Sequence, residues 1–174
     1  MDAVTGPHLA ATALLALGGA PKVWSPADTT RALRALRIPV TRPVVRLIGV
    51  AEVTTALVAV AAPGRTSALA VAGWYAVFAA VAVLALRSRA PLSSCGCFGA
   101  VESPPTPAHL VLVLAAAAAA AAYAASPSPE LLTGAATERL ALVALSALAA
   151  WFGYLVMTGL AALSVPRTTT GTRA

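Results

Sequence analysis

From Thr66 to Leu86 the chain runs without a single charged side chain, and Arg87 and Arg89 end the run. A helix rises about 1.5 Å per residue and the hydrocarbon core of a bilayer is about 30 Å thick, so roughly 20 apolar residues cross it. A run of this length is therefore the strongest constraint on the fold. Composition points the same way: 59% of the 174 residues are hydrophobic and only 10% charged, against about 25% charged in soluble domains. Too few polar side chains are present to cover a water-facing globule. These figures exclude an ordinary soluble enzyme, a disordered chain and a disulfide-stapled secreted module. The sequence is that of an integral membrane protein.

Further spans follow from the same criterion. His109 to Ala125 contains an unbroken alanine run from Ala115 to Ala122, and Leu140 to Val165 is closed by Pro166-Arg167. Val44 to Ala62 is apolar apart from Arg46 and Glu52. The stretch from about Val4 to Ala20 is shorter and meets Pro21-Lys22. It has no basic region before it, carrying Asp2 instead, and the Pro makes a poor cleavage site, so it reads as a retained first helix rather than a secretory signal. The expected fold is all-α, a polytopic membrane bundle of four helices with a fifth, C-terminal transmembrane helix appended. Its organisation would be a membrane domain over 1–125, a polar linker over 126–138, the additional helix over 139–166 and a disordered tail over 167–174.

Twelve Lys and Arg against six Asp and Glu give a net charge of +6, which alone could suggest nucleic acid. The basic residues, however, sit between the apolar runs with no aromatic interleaving. They are expected to flank membrane spans and meet lipid headgroups, with no nucleic-acid partner. In the first loop, Arg31, Arg34 and Arg37 alternate with Ala32, Leu33, Ala35, Leu36 and Ile38, a pattern that suits a short helix lying in the interface. Pro63-Gly64-Arg65 reads as a tight turn.

Only two cysteines are present, in Ser94-Cys95-Gly96-Cys97-Phe98-Gly99. As inert filler they would scatter through the helices; instead both lie in a Gly- and Ser-rich loop. Gly96 and Gly99 allow the backbone to turn sharply around the sulfurs. Two thiols one residue apart close only a small, strained ring, and strained disulfides are the labile ones. A redox dithiol is the leading reading of this local chemistry, with free thiols and metal binding as alternatives. Metal is the weaker of these, since four soft ligands are usually needed and only His8 and His109 remain.

Glu52 is the second candidate, because a carboxylate inside a span is a functional suspect by default. Lys22 would lie at a similar depth if the first two spans are antiparallel neighbours, so a Lys22–Glu52 ion pair competes with proton transfer or substrate contact. Arg46 would snorkel to the interface. His109, at the start of a span, could lower a thiol pKa if the loop folds back, or simply be an interfacial side chain. No cofactor is evident. A quinone could be accommodated, although Trp74, Tyr75 and Phe78 read better as packing residues than as a quinone box.

Three strings together resemble one family. Cys95-Gly96-Cys97-Phe98-Gly99 before a span, Gly18-Gly19-Ala20-Pro21-Lys22 closing the first helix, and Val50-Ala51-Glu52 in the second are similar to the MauE/DoxX group of redox-associated membrane proteins. The resemblance covers about residues 4–125. It implies a four-helix bundle distantly like vitamin K epoxide reductase, and disulfide exchange with a thioredoxin-like partner or a maturing exported protein. Cys95 and Cys97 would then be the dithiol of an oxidoreductase or of its accessory subunit, with Glu52, Lys22, His109, Phe98, Gly96 and Gly99 in support. A non-enzymatic scaffold for maturation of an exported protein is the alternative. Methylamine utilisation is the pathway associated with the group. The basic residues of the first and third loops would place those loops in the cytoplasm by the positive-inside rule. The CxC string is in that third loop, and here the two arguments conflict: the resemblance and the persistence of disulfides outside the cytoplasm favour the extracytoplasmic face of the cell membrane instead.

Overall fold

A computed structural model describes residues 3–88, 106–127 and 135–163. All the described elements are helices: α1 (Thr5–Trp24), α2 (Pro26–Ala35), α3 (Arg42–Ala61), α4 (Arg65–Arg87), α5 (Pro107–Ala125) and α6 (Ala136–Leu163). Four of them are long and apolar enough to cross a membrane: α3, α4, α5 and, over Ala136–Val156, α6. Their outward faces are apolar, with Leu47 68% and Leu140 71% exposed. The buried set meanwhile includes a lysine, a glutamate and two histidines. Apolar outside and polar inside is the arrangement of a chain whose solvent is lipid. The protein is a multi-pass, all-α membrane protein in contact with the bilayer.

The expectation for the first helix needs two corrections. It does not stop at Ala20: α1 continues through Pro21 and Lys22 to Trp24, and the Ser25 N–H donates to the Pro21 carbonyl at 2.7 Å. Proline there only removes one N–H from the final turn, so the helix survives it. Nor is α1 apolar enough to rank with the other spans. The reason is its place. α1 touches each of the other five helices, and it turns Thr5, His8, Thr12 and Lys22 into the bundle. A helix enclosed by helices has no need of an all-apolar surface, and hydropathy underrates it.

The helix starts have local causes. Proline occupies the first turn of α2, α3 and α5, where its missing N–H would be unpaired in any case. The Thr106 hydroxyl caps α5 by accepting the His109 N–H at 3.3 Å. Between α3 and α4, the turn expected at Pro63-Gly64-Arg65 is closed by Ser67, whose hydroxyl accepts the Gly64 N–H and donates to the Ala62 carbonyl. Small residues let α4 and α5 pack closely: Ala79, Ala116 and Ala120 meet in one cluster, and Ala68, Tyr123 and Ala124 in another. The early residues of α4 thus meet the late residues of α5, so the two are antiparallel. Arg87 and Pro107 consequently emerge at the same end of the bundle.

The interfacial pattern of the first loop forms α2. Its last turn ends with Arg37 at φ 62°, in the left-handed region. The Ile38 N–H donates to the Leu33 carbonyl at 3.0 Å and the Arg37 N–H to the Arg34 carbonyl at 2.9 Å. These two bonds are the Schellman ending of a helix, which turns Ile38 back toward Leu33.

Candidate functional site

Glu52 lies at the middle of α3. Ten residues at about 1.5 Å each put it about 15 Å from the start of that helix, near the middle of a bilayer-thick span. The Lys22 Nζ donates to both Glu52 oxygens, each at 2.6 Å, and the two side chains are 3% and 0% exposed. The ammonium also sits over the Phe78 ring, 4.8 Å from its centroid. Cation–π contact of this kind is worth about 0.5–2 kcal/mol. The ion pair is therefore a property of the fold, and Phe78 belongs to its surroundings.

Two glycines make the pair geometrically accessible. A Cβ on Gly19 would lie 2.9 Å from both the Glu52 Cβ and the Gly49 carbonyl oxygen. A Cβ on Gly49 would lie 2.7 Å from the Gly19 carbonyl oxygen and 2.8 Å from the Lys22 Cβ. Any larger residue would force the helices apart. The spacing is the same on both helices: Gly19 precedes Lys22 by three residues and Gly49 precedes Glu52 by three. Antiparallel crossing then sets each glycine against the other helix's charged residue. Gly49 is the residue sequence reasoning missed, and the matched spacing was the available signal.

Beside the pair is a cavity of about 240 Å³, walled by the end of α1, by α2 including Thr29, by the chain leading into α3, and by α3 and α4. Lys22, Glu52, Trp74 and Phe78 line it, and Leu33 and Ile38 close it from the α2 side. The Trp74 indole N–H is engaged with the Thr55 hydroxyl at 3.1 Å. Tyr75 faces the other way, into the core, donating to the Ala11 carbonyl at 2.6 Å. The three aromatics expected to pack do so, but Trp74 and Phe78 also present surface to this cavity.

A second buried polar group sits toward the other end of α1. His8 stacks on Tyr123, with ring centroids 4.3 Å apart and planes 7° from parallel. Among the described residues, neither His8 nitrogen has a hydrogen-bond partner, and the buried Thr5 hydroxyl has none. The Thr12 hydroxyl bonds the His8 carbonyl rather than its ring. Among the described residues no three His, Cys, Asp or Glu side chains gather as metal ligands.

Of the remaining expected site residues, His109 is buried in the first turn of α5 and capped by Thr106, and Arg46 is exposed on α3. Cys95, Gly96, Cys97, Phe98 and Gly99 lie outside the described residues. The described residues on either side, Ser88 after α4 and Thr106 before α5, lie at the end of the bundle toward which α1 runs.

A helical membrane bundle built around a buried ion pair defines the class of protein. The family described as Methylamine utilisation protein MauE matches residues 3–127. The chain belongs to that family. The match ends before α6 begins at Ala136. Comparison with curated proteins and with solved structures gave no match.

Proposed function

We propose that this protein is a membrane thiol–disulfide redox protein that passes electrons through Cys95 and Cys97 to a thioredoxin-like partner or to a maturing exported protein. The observation that carries the reading is the Cys95-Gly96-Cys97-Phe98-Gly99 string in a chain with no other cysteine, within a member of the MauE family. The Lys22–Glu52 pair supports it as a buried tie between α1 and α3, with Phe78 of α4, the helix that leads into that string, against the ammonium. In the reaction, one thiolate attacks the partner's disulfide and forms a mixed disulfide. The second thiolate displaces the partner, leaving a Cys95–Cys97 disulfide and a reduced partner that has gained two electrons and two protons. A thiol donor then restores the dithiol. The maturation role associated with the family is the setting proposed for this exchange, with the string on the extracytoplasmic face.

The test is a trap. In native membranes the Cys97→Ser variant should accumulate a reductant-sensitive adduct through Cys95 that is absent from the Cys95→Ser/Cys97→Ser double variant. Full restoration of a deletion strain by the double variant would overturn the redox reading in favour of a scaffold. A membrane-impermeant maleimide should label the parent protein after mild reduction only, and from the outer side of sealed vesicles. Labelling from the inner side alone would reverse the proposed orientation.

A further inference from the structure

We propose that the arginine-rich end of the bundle binds the headgroup of an anionic phospholipid, its phosphate held between Arg42 and Arg46 on the outer face of α3. Exposed arginines are concentrated at this end: Arg31 and Arg34 on α2, Arg37 just after it, Arg42 and Arg46 on α3, and Arg87 closing α4. Outside the buried ion pair, the one acid there among the described residues is Asp28, and it serves Arg31 at 3.3 Å. The opposite end, at the α3–α4 turn and the start of α6, carries only Arg65, Glu138 and Arg139 among the described residues. The described charge is one-sided.

Arg42 and Arg46 are four residues apart on α3, so they leave the helix on one face. Both are exposed, and among the described residues neither has an ion-pair or hydrogen-bond partner. Like charges at this spacing repel. A phosphate between them removes the repulsion and accepts paired hydrogen bonds from the two guanidinium forks. Further along the same face, Val50 and Leu57 are exposed and apolar, which suits the tails of the same lipid.

Depth selects a lipid over a soluble acidic protein. Arg46 is four residues into a candidate membrane span, about 6 Å deeper than Arg42. A lipid phosphate meets a side chain that snorkels from that depth, and a protein in water does not. Gly19 meets Glu52 and Gly49 meets Lys22 at the α1–α3 crossing, so Trp24, further along α1, falls about level with Leu47. Its indole is 77% exposed, and an exposed indole at that level marks the headgroup region. The neighbouring arginines add to the field. The Arg34 Nε donates to the Val40 carbonyl at 2.8 Å, which holds that guanidinium over the chain leading to Arg42. Arg37 occupies a left-handed position, φ 62°, that would suit glycine better. The headgroup carries net negative charge, because the ammonium of a zwitterionic lipid would be repelled by this many arginines.

The experiment mixes full-length protein in detergent with equimolar dioleoylphosphatidylglycerol and dioleoylphosphatidylcholine, and reads the retained lipid by native mass spectrometry. The phosphatidylglycerol adduct should dominate. A basic residue beside an anionic surface is worth about fivefold in binding, so Arg42→Gln/Arg46→Gln should cut the preference by about fivefold or more. Circular dichroism should show parental helical content in that variant. Arg42→Lys/Arg46→Lys, which keeps the charge and loses the forks, should fall between the two, and Arg65→Gln at the opposite end should match the parent. Equal retention of both lipids by the parent would overturn the proposal and turn these arginines toward an acidic protein. An equal loss in Arg65→Gln would overturn the site, since charge anywhere would then suffice. Displacement of the lipid by equimolar sn-glycerol 3-phosphate would overturn the lipid as the source of the phosphate. Micelles have no sides and the arginines act without the cysteines, so the result is independent of the disulfide-exchange trap and of which face of the membrane this end occupies.

Discussion

Lys22 and His8 are both enclosed polar side chains on α1, yet only one of them is matched. Lys22 reaches across a glycine-lined crossing to both oxygens of Glu52. His8 has a flat aromatic partner, Tyr123, and, among the described residues, no partner for either nitrogen. An unsatisfied buried polar group costs about 1–3 kcal/mol, whereas removing one member of a buried ion pair costs about 3–5 kcal/mol because a lone charge is left in low dielectric. The two ends of α1 should therefore respond to mutation in opposite ways. At the Lys22 end, polarity holds the helices together; at the His8 end, shape does.

The largest expected effect is at the pair. Glu52→Gln should lower stability by about 3–5 kcal/mol, read as a fall in Tm of the detergent-solubilised protein. Lys22→Met combined with Glu52→Gln should recover much of that loss, since no charge then remains unmatched, and a double-mutant cycle would give the coupling. A single Glu52→Gln variant as stable as its parent, but with the Cys95–Cys97 exchange lost, would move Glu52 from structure to proton transfer.

Next in size is the crossing that lets the pair form. Gly49→Ala would place a methyl group 2.7 Å from a backbone oxygen and 2.8 Å from the Lys22 Cβ. Backbone cannot swing aside as a long side chain can, so α1 and α3 must separate. Overpacking of this kind costs about 1–3 kcal/mol. Gly153→Ala on α6 is the control: its nearest neighbour would be a Leu14 methyl at 3.3 Å, a contact that a side-chain adjustment relieves. If both substitutions shift Tm equally, close approach at Gly49 is not what holds the Lys22 end.

The difference between the two ends also explains what was legible beforehand. Strongly apolar stretches identified α3, α4, α5 and α6 within a few residues, because lipid-facing helices must be apolar on most of their surface. Glu52 stood out because a charge in such a stretch is conspicuous, and Lys22 followed from its depth. α1 was harder. Its hydropathy is diluted by residues that face other helices, and Pro21 looked like a stop when it is only a gap in the last turn. Gly49 was missed although its spacing to Glu52 repeats that of Gly19 to Lys22, and the His8–Tyr123 stack was not legible, since it depends on which helix stands opposite. Hydropathy registers the environment of a whole helix and not the partner of one side chain. Trp74 and Phe78 were seen as packing residues, and their share in the cavity depends on α2 returning over them.

That return is held by a residue in an unfavourable conformation. Arg37 adopts φ 62° at the end of α2, where an L side chain loses about 1–2 kcal/mol and glycine loses nothing sterically. Arg37→Gly should stabilise the protein by about 0.5–1 kcal/mol, after the extra chain entropy of glycine is subtracted. The Schellman bonds that bring Ile38 over the cavity should persist, so helical content read by circular dichroism should be unchanged. A loss of stability would mean that the Arg37 side chain contributes more at the interface than the backbone strain removes.

The smallest effect should be at His8, and it is the sharpest test of the contrast. His8→Phe keeps a planar ring against Tyr123 and deletes two nitrogens that have no partner among the described residues. Replacing an unsatisfied polar group by an apolar group of similar shape is nearly neutral or stabilising, so Tm should stay level or rise by the equivalent of up to about 1 kcal/mol. His8→Ala should be worse than His8→Phe, because it empties the stack and leaves a cavity against Tyr123. A loss of more than about 2 kcal/mol in His8→Phe would show that the imidazole nitrogens hold partners, internal water being the natural one. In that case both ends of α1 would be organised by polarity, and the difference drawn between Lys22 and His8 would fall.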